Sequence, residues 1–213
     1  MKISVAVMAH PKRALQAKAL WKQLEAMPFV DPYIIFDEKN DEWDTGERSV
    51  RYGVGKADWH LVIQDDAVLT PDFYANLEAA ILKMPLKGLL SLYVGTVKPL
   101  DERVKSAVNQ AVHGSWLRHY LLLWGVAVVI PSDHIIAMLE YLDDPKYRTT
   151  QYDTRLSMFY LANRLPVHYT MPSLVDHDDD MGSLLPNHQQ PQRRVAHRLA
   201  TGPVNWNNKV IDI

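Results

Sequence analysis

The 213-residue chain contains no cysteine. That absence excludes disulfides, thiolate metal sites and cysteine nucleophiles, and it leaves the redox compartment open. Chemistry must come from carboxylates, imidazoles, hydroxyls or amines. Long apolar runs are missing too. The N-terminal "MKISVAVMAHPKRA" reaches only about seven apolar residues before His-Pro-Lys-Arg, where a signal peptide would place a small-residue cleavage site. "YLLLWGVAVVIPS", Tyr120 to Ser132, falls well short of the roughly 20 residues that a spanning helix needs. Both absences predict a soluble, cytoplasmic protein with no membrane contact. No repeat or low-complexity tract is present. The formal net charge is only -2, but it is unevenly spread. Residues 31 to 66 hold ten Asp/Glu against four Lys/Arg, and residues 181 to 213 hold three Arg and one Lys against Asp212. A basic tail and an acidic middle point to a site built from both.

With 47% apolar and 23% charged residues, the chain can bury one sizeable core, so one globular domain is expected. Ile3 to Ala9 is continuously apolar, as in a strand covered on both faces. Ala14, Leu15, Ala19, Leu20 and Leu24 recur at helical spacing between Lys12 and Met27. Tyr33 to Phe36 reads as a second strand, "DEKNDEWDTGE" as a polar loop, Arg48 to Lys56 as a short helix and His60 to Ile63 as a strand. Thr70 and Pro71 open a helix that runs to about Met84. Leu89 to Val94 is a strand. Lys98 to His119 reads as a loop-rich insertion around a helix at Glu102 to Val112. A strand over Leu121 to Ile130, interrupted by Gly125, a helix to Leu142, a helix over "YDTRLSMFYLANRL" and a last strand, "PVHYTMPSLV", complete the order. Asn187 to Ile213 is a polar tail.

Alternating strands and helices imply an α/β sandwich with a mainly parallel sheet. Ligands bind such sheets beyond the carboxyl ends of the strands, which puts His10 to Arg13, Asp37, Gln64 to Asp66 and Asp176 to Asp180 on one rim. Asp65 and Asp66 repel each other there and suit a divalent ion, although a strand-end aspartate that caps the next helix reads the same way. His177, an imidazole beside carboxylates, is a candidate metal ligand. Asp178 to Asp180 read rather as a solvated acidic loop. Trp116, Trp124 and Trp206 are candidates to stack on a sugar ring, with Trp124 the one most expected in the core.

Several segments, in order, resemble a GT-A glycosyltransferase, the nucleotide-sugar-dependent class with a Rossmann-like sheet and a DXD-type metal motif. "ISVAVMAHPKR" resembles its first strand and nucleotide-binding loop, and "IIFD" its second strand with a base-contacting aspartate. "ERSVRYGVGKADWHLVIQDDAVLTPDF" resembles the run "ARN-x-G … GDYI-x-x-LDDD-x-x-x-P" of the large inverting families. "LLLWGVAVVIPSDHI" resembles the acceptor-side strand and helix, "QYDTRLSMFYL" the segment of the catalytic base, and "PSLVDHDDDMGSLL" the late loop whose histidine reaches the metal. The likeness is to inverting family 2, family 25-like and phage-encoded enzymes, and it covers roughly residues 1 to 185.

The resemblance implies a three-layer GT-A domain over residues 1–185, with a basic tail over 186–213 that closes over the donor. It implies transfer of a sugar from a nucleotide diphosphate, such as a UDP-sugar, to an acceptor hydroxyl with inversion. Asp66 and His177 would hold manganese or magnesium, and Asp153 would be the base. His10, Arg13, Asp37, Arg48, Asp65 and Arg194 would bind the donor, the arginines suiting phosphate through their forked donors. The acceptor is expected to be a saccharide or a modified nucleic acid, such as a hydroxymethylated DNA base, which can be the acceptor of phage enzymes of this kind. Arg193, Arg194, His197 and Arg198 read as a diphosphate clamp, a polyanion contact or a solvated basic stretch. Two departures stand out: Gln64 occupies a position that is usually acidic, and Asp153 has no acid before it and reads also as a helix cap. They keep open a non-catalytic nucleotide-sugar-binding module. A nucleotidyltransferase fits less well, because "AHPKR" has no glycine-rich phosphate loop.

Overall fold

The computed structural model describes residues 1–97, 101–147, 151–178, 193–207 and 209–213. Asp179, Asp180 and the start of the expected tail lie outside the described residues. An eight-stranded mixed sheet runs in the order β10 (Val210–Asp212), β6 (Ser115–His119), β8 (Val167–Met171), β5 (Leu89–Ser91), β7 (Ala127–Pro131), β3 (Trp59–Gln64), β1 (Ile3–Ala9), β2 (Val30–Phe36). Four of its seven pairings are parallel: β1 with β2 and β3, β5 with β8, and β6 with β10. The fold is therefore α/β, and its architecture is compatible with a Rossmann-like arrangement.

Strand periodicity divides the core. Ile3, Val5 and Val7 of β1, with Leu61 and Ile63 of β3, pack on one face against Ala17, Leu20 and Leu24 of α1 (Ala14–Glu25) and Leu77 and Ala80 of α3 (Phe73–Lys83). Met8, Val62, Val128 and Ile130 point the other way. They meet Val50 of α2 (Glu42–Arg51), Met138 of α5 (Ser132–Leu142) and Leu156 of α6 (Tyr152–Ala162). Two cores on opposite faces make three layers. Burying each large apolar side chain contributes roughly 1.5–3 kcal/mol, so both faces hold the sheet in place.

Several elements depart from expectation. The helix expected at Glu102 to Val112 is α4 (Asp101–Gln110), with Val104, Ala107, Val108 and Ala111 as a buried stripe, but a sheet strand, β6, follows it where loop was expected. α2 begins at Glu42 rather than near Arg48, because the Asp41 carboxylate accepts hydrogen bonds from the Trp43 and Asp44 amides and caps it. Thr70 caps nothing: its hydroxyl donates to the Leu174 carbonyl at 2.8 Å, and α3 starts after Asp72 at φ +55°. The strand expected over Leu121 to Ile130 exists only from Ala127. The expected last strand is two, β8 and β9 (Val175–His177), and β9 pairs antiparallel with a short β4 (Ala67–Leu69). The C-terminal segment is part of the fold: Ala200, Val204 and Trp206 are buried in the first core, and β10 joins the sheet edge. No helix among the described residues is long and apolar enough to cross a membrane.

Candidate active site

β2, β1 and β3 are adjacent and parallel, so Asp37, His10 and Asp65 leave the sheet at one rim. The Asp37 amide donates to the Ala9 carbonyl and the Asp65 amide to the Met8 carbonyl, which fixes the spacing of the three loops. His10 caps the turn Pro11–Arg13 through its Nδ1, and the turn carries Arg13 back over β3. One guanidinium nitrogen of Arg13 lies 3.1 Å from Asp65 Oδ1 and 2.5 Å from Asp66 Oδ2. The His10 amide donates to Asp65 Oδ2 at 2.8 Å. The negative charges that end β3 are thus balanced by an arginine of the chain itself.

His177 reaches the same place through strand register. Ala67 pairs with His177 across β4 and β9, and the Asp178 amide donates to the Asp66 carbonyl. This brings His177 Nε2 to 3.3 Å from Asp66 Oδ2. Arg13, Asp65, Asp66 and His177 are 8%, 6%, 6% and 7% exposed. Burial raises the Asp65 carboxyl above its ordinary range, against the His10 amide and Arg13. Burial acts on Asp66 in the same sense, but His177 and Arg13 together outweigh it and hold that carboxyl low. Two adjacent aspartates are therefore driven apart in acidity by their different partners.

Asp66 Oδ1 and His177 Nδ1 are buried without hydrogen-bond partners among the described residues. A carboxylate oxygen and a neutral imidazole nitrogen are donors of the kind that a divalent cation takes. The described residues form no group of three His, Asp or Glu for a fully protein-ligated ion.

Two cavities open at this rim. The first, of about 430 Å³, is lined by His10, Arg13, Asp37, Asp65 and Asp66 among others. The second, of about 500 Å³, is lined by Tyr93, Leu121 to Val126, Asp153 and Met158. Glu42, Gln64, His177 and Arg194 line both. Arg194 arrives there because the C-terminal segment is sewn to the sheet: the Ala196 amide donates to Asp176 Oδ1, and the Thr96 amide to the Val195 carbonyl. Arg48 lines neither cavity. It bonds Asp44, Glu38 and the Phe36 carbonyl and ties α2 to the end of β2.

The second cavity owes its wall to a loop where a strand was expected. Tyr169 Oη accepts from the Leu123 amide and donates to the Leu121 carbonyl, while Ser157 Oγ accepts from the Leu122 amide. These bonds satisfy the backbone of 121–123 with side chains in place of a ladder. Trp124 consequently turns to the cavity, its Nε1 bonded to the Val97 carbonyl. Trp116 and Trp206 are buried against each other, ring centroids 4.9 Å apart, and present no face to a ligand.

Glu42 was hidden in what reads as a polar loop. It sits in the first turn of α2, on the boundary of both cavities, and burial, then the charges of Asp153 and Asp41, push its carboxyl up to about 7. Its helix is held from two sides. His60 Nε2 donates to the Ser49 carbonyl and Nδ1 accepts from Ser4 Oγ, both at 2.8 Å, an assignment forced because a carbonyl only accepts. The Arg155 guanidinium lies 3.9 Å over the Trp43 ring and donates to the Leu142 carbonyl. The clue in the sequence was Asp41 as a helix cap, which would have started the helix early enough to point Glu42 at the rim.

No protein-family model and no curated protein matches this chain. Its function must be argued from the geometry of the rim.

Proposed function

We propose that this chain is a GT-A-type glycosyltransferase that moves a sugar from a nucleotide diphosphate to an acceptor hydroxyl with inversion. The observation that carries the reading is the pair of cavities that share Glu42, Gln64, His177 and Arg194 as a common boundary. A binding module needs one compartment. A transferase needs two that meet where the bond is exchanged, because holding both reactants in line removes much of the entropic barrier.

The first cavity takes the donor. Asp37, half-buried at the end of β2, accepts a hydrogen bond from base or ribose, and Arg13 holds Asp65 and Asp66 in place. Arg194, on the boundary, meets the diphosphate as its charge grows, through the forked geometry that suits phosphate. Asp66 and His177 would hold a manganese or magnesium ion, which supplies further neutralisation of the leaving diphosphate when bound. The second cavity takes the acceptor. Tyr93, Trp124 and Met158 give it an apolar and aromatic wall, and Asp153 aligns and deprotonates the hydroxyl on the face opposite the leaving group. The acceptor is a saccharide or a modified nucleic-acid base, either of which offers a ring face and a hydroxyl.

A panel of nucleotide sugars, with and without manganese, tests this by thermal shift and donor hydrolysis. The expected result is a stabilising shift and slow hydrolysis with one nucleotide class, both abolished in Asp66→Ala. Binding without turnover for any acceptor would replace the transferase with a nucleotide-sugar-binding module, and turnover of a free nucleoside triphosphate would replace it with a nucleotidyltransferase.

A further inference from the structure

We propose that Glu42 is a second catalytic carboxylate of this reaction: it and Asp153 flank the acceptor hydroxyl, and the proton that leaves that hydroxyl is held between them. The inference rests on the transferase reading and adds to it a residue from a different helix. Glu42 comes from the capped start of α2 and Asp153 from the first turn of α6. The two helices converge on the second cavity, which both residues line. Glu42 alone of the two also lines the first cavity, so it stands where the two substrates meet.

The surroundings favour proton sharing. Asp41 lies beside Glu42 on its own helix cap, Asp153 faces it from α6, and Asp37, Asp65 and Asp66 border the first cavity, the last two paired with Arg13. His177 and Arg194 share the boundary with it. His177 is 7% exposed with Nδ1 unpartnered among the described residues, a buried polar group set at the edge of both compartments. Neighbouring carboxylates raise each other's proton affinity, and the charge of Asp153 adds to burial in raising Glu42. A base is most effective when its proton affinity lies near the working pH, and the shift of Glu42 to about 7 meets that condition.

The step balances without a further reactant. The acceptor O–H bond breaks and its proton passes to the Glu42–Asp153 pair. The acceptor oxygen forms the new bond to the anomeric carbon, and the bond from that carbon to the diphosphate breaks with its electron pair on the diphosphate.

Glu42→Gln, Asp153→Asn and the double variant test the pair. For the wild type, kcat/KM should rise with pH through about 7. Each single variant should lose about 100-fold or more, as removal of a general base does. Glu42→Gln should move the acidic limb to lower pH, and the double variant should be no worse than the poorer single one, since the residues act as a unit. Unchanged kcat/KM and an unmoved limb in Glu42→Gln would overturn the proposal. An independent measurement needs no substrate: carbon-13 NMR of labelled glutamate side chains in the whole chain should show one carboxyl titrating near pH 7, absent in Glu42→Gln and shifted downward in Asp153→Asn. A Glu42 midpoint in the ordinary range also overturns it. Should no nucleotide sugar turn over, the transferase reading falls and takes the catalytic role with it, while the titration still decides whether the pair shares a proton. A cooperative melt of each variant separates these outcomes from misfolding.

Discussion

Replacing Glu42 by Gln should make the fold more stable as it makes the protein less active. The carboxyl has an ordinary value of 4.5 and is raised to about 7 in the folded chain, chiefly by burial. A raised carboxyl binds its proton more tightly folded than unfolded. The fold therefore carries no penalty from Glu42 below about pH 4.5, loses stability as pH rises from there, and bears the full penalty above pH 7. The difference in proton affinity corresponds to about 3 kcal/mol; because Glu42 is only partly buried, solvent screening leaves an expected penalty of about 2 kcal/mol. Gln has the same shape and no charge. In urea or thermal melts Glu42→Gln should match the wild type at pH 4.5 and exceed it by about 2 kcal/mol at pH 8, which for a chain of this size is a rise in Tm of about 4–8 °C. A gain of equal size at both pH values would point to packing and refute the electrostatic account. A loss at pH 8 would show that Glu42 is paired with a cation in the fold, and would refute it outright.

Other expectations follow from single contacts. Arg13→Ala leaves Asp65 and Asp66 buried without their counter-charge; removing one partner of a buried pair costs about 3–5 kcal/mol, and denaturant melts should show the loss shrinking towards pH 4 as the carboxyls take up protons. Gly46→Ala places a Cβ 2.3 Å from Tyr152 Cδ2, so despite alanine's better helix propensity it should lower stability by about 1–3 kcal/mol in the same assay. Tyr152→Phe removes a buried hydroxyl that has no partner among the described residues, and should leave stability unchanged or raise it by about 1 kcal/mol. Manganese with a nucleoside diphosphate should raise Tm in the wild type and not in Asp66→Ala; equal shifts in both would remove Asp66 and its neighbour His177 from the metal site.

The rim was legible where one strand end delivers one residue. Ile3 to Ala9 and His60 to Ile63 are apolar on both faces and read as central strands, and Tyr33 to Phe36 reads as a further short strand, so His10, Asp65, Asp66 and Asp37 follow from their ends. What local patterns cannot encode is register between distant segments. Asp66 and His177 meet because a three-residue strand pairs Ala67 with His177, and three residues are too few to show a period. The loop that walls the second cavity reads as a strand for a related reason. Leu121 to Val126 are apolar enough for a strand, but Tyr169 and Ser157 take over their backbone hydrogen bonds, a competition visible only once β8 and α6 are in place. Glu42 was missed because an acidic run looks solvated until a cap fixes where the helix begins.

Gln64 takes on a different meaning in this setting. In the sequence it looks like a missing metal ligand. In the structure its backbone amide donates to the Val126 carbonyl, and the residue lines both cavities, with Asp65 and Asp66 on the first, Asp153 on the second and Glu42 on both. Asp65 and Asp66 already rely on a buried arginine, and Glu42 is already raised by its neighbours. A carboxylate at position 64 would add a fifth negative charge to this wall, raise Glu42 further, and keep it protonated at the pH where a base must be free. A neutral amide keeps the polarity of the wall and leaves the proton affinity of Glu42 near neutrality. On the proposed reading, the residue that weakens the case for a tightly held metal is thus the one that suits the site to proton transfer.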